Sequence, residues 1–132
     1  MGSPLARFRL DAFRRQAGRC YYCTAPMWLE DAKSFAQTHS ITFRAARLLQ
    51  CTAEHLHPRC EGGLDTPDNI VAACRYCNSK RHWRRKSAPS PTAYLRLVRS
   101  RLTQGRWHCH QIMACGLAPL TADDRDPPLS AA

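Results

Sequence analysis

Two Cys-x-x-Cys pairs, Cys20 with Cys23 and Cys74 with Cys77, constrain this chain more than any other feature. Such a turn presents two sulfurs to one ion without straining the backbone, and zinc prefers four thiolate or imidazole ligands in a tetrahedron. The interval between the pairs far exceeds that of a simple zinc ribbon, so a folded insert must bring them together. Eight cysteines in a secreted chain would suggest disulfides. Nothing after Met1 resembles a secretory signal, because Arg7, Arg9, Arg14 and Arg15 break any apolar run, and no segment has the length of a membrane span. The expectation is an intracellular, cytoplasmic protein with structural zinc. Cys51, Cys60, Cys109 and Cys115 read as core thiols. A second metal site built from Cys109 and Cys115 with His108 and His110 is the weaker alternative.

With 132 residues the chain has room for one modest core. Its 20 Lys and Arg against 10 Asp and Glu give a net charge of +10, which favours a polyanionic partner, nucleic acid first. The charge is also uneven. From Arg75 to Arg106 there are ten basic residues and no acid, so a continuous positive face is expected.

Apolar residues at Leu5, Phe8, Ala12 and Phe13 predict a short amphipathic helix ending near Gly18. Met27 to Ala36 reads as a short helix, and Ile41 to Leu49 as strand or helix. Residues 48–56 and 69–73 predict a hairpin around a loop with Gly62-Gly63 and Pro67. A helix from Cys74 to about Lys86 would bring Asn78 and His82 onto one face. Ser90 and Pro91 read as the cap and first residue of another helix, with Leu95, Val98 and Leu102 as its apolar stripe and Gly105 as its stop. The division expected is a basic helix over 1–19, a core over 20–88, a basic helix and extension over 89–117, and a tail over 118–132 too poor in apolar periodicity to fold.

Glu54-His55-Leu56-His57-Pro58, Gly62-Gly63, Asn69-Ile70 and Cys74-Arg75-Tyr76-Cys77-Asn78-Ser79-Lys80, taken with Cys20 and Cys23, resemble the HNH endonuclease family over about Phe13 to Lys86. The resemblance implies an α+β fold: a small ββα-metal (His-Me finger) core stapled by a four-cysteine zinc site and flanked by N- and C-terminal helices. It implies a metal-dependent nuclease hydrolysing phosphodiester bonds in DNA with low sequence specificity, RNA being left open. His55 would be the general base, since a neutral imidazole suits proton removal from water near pH 7. Glu54, Asn78 and His82 would hold a catalytic divalent cation, magnesium foremost and manganese or nickel as alternatives. Asn69 would hold the loop and help to orient the base.

Adjacent strand residues point to opposite faces, so Glu54 and His55 can share a site only if the strand end is irregular. Glu54 stands where relatives more often have Asp. His57 replaces an aliphatic residue and is expected to pack in the hairpin rather than act as a spare base. Lys80, Arg81, Arg84, Arg85, Arg96, Arg99 and Arg106 are the expected phosphate contacts, which give affinity without sequence choice. Trp83 and Trp107 could stack on bases, although packing is the commoner fate of such residues. Rival readings are a non-catalytic zinc-stabilised nucleic-acid-binding module and a protein-interaction zinc module. The latter leaves the basic run unexplained.

Overall fold

A computed structural model describes residues 2–117; the expected tail over 118–132 lies outside the described residues. The first helix, α1 (Pro4–Arg15), starts where Ser3 accepts a hydrogen bond from the Ala6 amide and Pro4 occupies the first turn. It lies across a two-stranded antiparallel sheet, β1 (Cys51–His55) and β2 (Ile70–Cys74). The helix is docked by Gln16, whose carboxamide both donates to Ala72 O at 2.8 Å and accepts from Ala72 N at 2.9 Å. One side chain thereby satisfies a β2 backbone pair that β1 does not reach.

The insert between the cysteine pairs forms α2 (Ala32–His39) and α3 (Phe43–Arg47), each opened by a side-chain cap, Asp31 and Thr42 respectively. The helix expected over Met27 to Ala36 thus begins five residues later, at the Asp31 cap. The segment that the sequence left open between strand and helix is helical. Leu48 and Leu49 still bond backward to Ala45 and Ala46, so the strand expected from Leu48 begins only at Cys51, where the backbone pairs with Trp28.

After β2 the chain enters α4 (Arg75–His82) directly, capped by the Cys74 sulfur, which accepts from Cys77 N. The helix expected to reach Lys86 stops four residues earlier. Its cause is Arg81, whose guanidinium bonds Pro89 O and so draws the following segment back over the helix. Arg84 takes a left-handed φ of 55° to make that reversal. Helix α5 (Pro91–Thr103) begins at Ser90 and Pro91 and buries Leu95, Val98 and Leu102 as the stripe predicts. Each such side chain contributes about 1.5–3 kcal/mol of burial. A last short helix, α6 (His110–Ala114), adds Ile112 to the same core and is tied to the α3 cap through Gln111 Oε1, which accepts from Thr42 N and Oγ1.

Candidate active site

The four cysteine sulfurs converge. Cys20, Cys23, Cys74 and Cys77 are buried, and their Sγ atoms lie within 4.8 Å of one another. A tetrahedron with Zn–S bonds of about 2.3 Å separates its sulfurs by about 3.8 Å. Cys23 Sγ and Cys74 Sγ are 3.8 Å apart, so the cradle fits zinc. Burial pushes the Cys23, Cys74 and Cys77 thiols up. At Cys20 burial acts in the same sense but is outweighed by hydrogen bonds from the other three, and its thiol is held well below the usual range.

Two side chains from beyond α5 reach this cluster. Trp107 Nε1 donates to Cys77 Sγ at 3.2 Å, and His108 Nε2 lies 3.1 Å from Cys23 Sγ. Burial pushes His108 down to about 4, so the imidazole is neutral at pH 7 and can donate to a thiolate through one nitrogen. The suggestion that His108 joins Cys109 and Cys115 in a second metal site is therefore corrected. His108 faces the first cluster, and among the described residues the four-cysteine group is the only one in which three or more His, Cys, Asp or Glu side chains come together as metal ligands would. Of the four other cysteines only Cys51 is a core thiol. Cys60, Cys109 and Cys115 are exposed because they sit in a 3₁₀ turn and at the two ends of α6.

Next to the zinc cradle, α4 faces β1. Asn78 donates to Thr52 Oγ1 at 3.0 Å and Ala53 O at 3.3 Å, and His82 Nε2 stands 3.2 Å from Glu54 Oε1. Glu54 is 1% exposed, and its Oε2 has no hydrogen-bond partner, although Arg81 Nη1 approaches to 3.4 Å. The Tyr22 hydroxyl is likewise buried without a partner; burial, and after it the Glu54 charge, hold its phenol far above the usual range. A carboxylate, an imidazole nitrogen and a carboxamide oxygen form a donor set compatible with a divalent cation, although the Glu54 oxygen without a hydrogen bond is ion-paired with Arg81.

The strand pairing is regular through His55↔Ile70, and Leu56 N continues it to Asn69 O. The expected irregularity at the strand end is absent, and Glu54 and His55 consequently go separate ways. Glu54 meets α4, whereas His55 Nε2 meets Asp65 Oδ1 at 2.7 Å across the loop. The second Asp65 oxygen takes the Arg59 guanidinium. These contacts hold the Asp65 carboxyl below its ordinary range, Arg59 contributing first and His55 next. Asn69 closes the same loop by accepting from His57 N at 2.9 Å and donating to Leu64 O at 2.9 Å and His57 O at 3.1 Å.

Residues 20–84 match the family model described as HNH endonuclease. This segment belongs to that family. No curated protein and no solved structure matches the chain. The helices, the two-stranded antiparallel sheet and the clustered cysteines agree with the ββα-metal architecture of an HNH domain.

Some expected site residues lie elsewhere. Arg81 is 1% exposed and donates to His55 O, Leu56 O and Pro89 O, so it fastens the strand end to α4 instead of meeting phosphate. Arg99 is half-buried, with Nε bonded to Tyr22 O, which removes much of it from solvent. Lys80, Arg84, Arg85, Arg96 and Arg106 are exposed. His57 is exposed instead of packed because its backbone, not its ring, anchors the loop. Asp65, Arg59 and Tyr22 carry no signal in the sequence, and Trp107 and His108 read there in other roles than the one they take. No spacing rule joins them to their partners, which they meet only through the folded loop and the return of the chain after α5.

Proposed function

We propose that this HNH domain is a metal-dependent endonuclease that hydrolyses phosphodiester bonds in DNA with little sequence preference. The observation that carries the reading is the pair of contacts that α4 makes with β1 next to the cysteine cluster, His82 with Glu54 and Asn78 with Thr52. Those three side chains would hold the catalytic cation, magnesium being favoured by the oxygen donors. When bound, such an ion neutralises charge on the phosphate and stabilises the departing sugar oxygen.

His55 is assigned as the general base. Its Nε2 proton directed at Asp65 leaves Nδ1 as the lone pair that takes a proton from water. Asp65 and Arg59 are positioning residues that fix this tautomer, and Asn69 keeps the loop carrying them in shape. Exposed Lys80, Arg84, Arg85, Arg96 and Arg106 would bind backbone phosphates, so binding should weaken steeply with salt. In this reading 20–88 is the nuclease core, and 1–19 and 89–117 brace it while adding positive charge.

Two observations favour a rival, a zinc-stabilised nucleic-acid-binding module without turnover: the Glu54 carboxylate is buried against Arg81 and His82, and the regular strand end turns His55 away from it to Asp65. Supercoiled plasmid incubated with the protein and magnesium, manganese or nickel separates the two. Nicking that falls by about 10²–10⁴-fold in His55→Ala, with binding retained, supports the enzyme. No nicking by the wild type under any of the three metals would support the module, and equal nicking by both proteins would remove His55 as the base.

A further inference from the structure

Trp107 and Trp83 have opposite fates. Trp107 is buried on the zinc cradle, whereas Trp83 is 59% exposed, a large apolar ring left in solvent. The chain leaves α4 at Trp83 in an extended conformation and reverses at Arg84, which carries the indole out from the helix. Lys80 Nζ lies 5.0 Å and Arg84 Cζ 4.8 Å from the ring centroid. Beside it opens a cleft of about 260 Å³ lined by Leu48, Arg75, Tyr76, Ser79, Lys80 and Trp83. Lys80 also stands 5.7 Å from the Tyr76 ring. Among the described residues, none of Arg75, Lys80 or Arg84 has a carboxylate within ion-pairing distance.

We propose that Trp83, with Tyr76 and the cations around it, is a binding site for an unstacked nucleobase of a single-stranded or locally opened nucleic acid. Two aromatic rings in a cleft offer a stacking platform, which any base can use because every base has a π-face. The cations now resting against the rings acquire phosphates when a strand is laid across them. A paired base would leave the indole unused, since its faces are already stacked. The place is also apt. Trp83 directly follows His82, the last residue of α4, so the platform begins one residue from the proposed cation site. The inference rests on the nuclease reading only for nucleic acid as partner, and not on turnover.

The test is metal-free equilibrium binding, read by tryptophan fluorescence and by anisotropy of a labelled strand, using oligothymidylate, an abasic strand of equal length, and duplex. Expected for the wild type is fluorescence quenching by oligothymidylate and weaker binding of the abasic strand. In Trp83→Ala, affinity for oligothymidylate should fall roughly 5- to 100-fold, the difference from the abasic strand should vanish, and the salt slope should stay unchanged. Trp83→Phe should recover most of the affinity. Lys80→Ala should instead lower the salt slope for all three ligands. Equal binding of oligothymidylate by wild type and Trp83→Ala, equal wild-type affinity for the two strands, or failure to bind any strand would overturn the proposal. Plasmid nicking, scored separately, distinguishes the failures: nicking without base-dependent binding sinks this site alone, and base-dependent binding without nicking sinks the nuclease reading alone.

Discussion

His55 and Asp65 are joined across the loop by a 2.7 Å contact between Nε2 and Oδ1, and Arg59 holds the opposite oxygen of the same carboxylate. An orienting carboxylate both fixes the ring and favours the imidazolium that forms when a base takes a proton. Asp65→Asn should therefore lower the nicking rate by about 10-fold while leaving zinc content and DNA affinity in place. Unchanged single-turnover rates would remove Asp65 from the site.

The same contact sets an acid limit. Because the folded Asp65 carboxyl is held below its ordinary value of 3.8, its contribution to stability is present above that value and is lost as pH falls through the depressed one. Urea midpoints of wild type and Asp65→Asn should converge only below pH 3.8, and convergence at pH 5–6 would contradict the assignment.

Arg81 and Glu54 are both 1% exposed, with Nη1 and Oε2 3.4 Å apart. Removing one member of a buried pair leaves the other uncompensated, and Arg81 also ties three carbonyls. Arg81→Ala should cost about 3–5 kcal/mol in urea denaturation. Arg81→Lys should rescue little, because an ammonium cannot reproduce the planar fork. A midpoint close to wild type for Arg81→Ala would refute this.

Trp107 donates toward a sulfur that zinc would share, and His108 stands against another. Trp107→Phe keeps the ring and deletes the N–H, so zinc should transfer to a colorimetric chelator about 10-fold faster, and the cobalt-substituted protein should show a shifted thiolate charge-transfer band. Identical release and spectra would show that these bonds do not tune the metal. Stripping zinc altogether should unfold the core, because four buried thiols would be left without the ion that fastens the first turn to α4.

Gly63 sits where a side chain cannot. A Cβ there would lie 1.7 Å from the His57 carbonyl oxygen, so the loop must open to accept even a methyl. Gly63→Ala should displace the segment carrying Asp65 and lower both thermal stability and nicking, whereas Leu64→Ala, at an exposed neighbour, should do neither. Equal melting temperatures for wild type and Gly63→Ala would argue against so tight a turn.

Sequence by itself determined the cysteine turns, the Ser90-Pro91 helix start with its apolar stripe, the hairpin and the HNH spacing, because each depends on residues close in the chain whose geometry is local. Only tertiary structure decided what long-range contact alone can settle. Arg81 left the set of phosphate contacts because its guanidinium satisfies carbonyls of two separate segments at once. Trp83 remained outside while Trp107 went in, since the chain reverses after α4 and returns only after α5. Asp65 found His55 because a loop folded on Gly63 and Asn69, a pairing that no periodicity along the chain encodes.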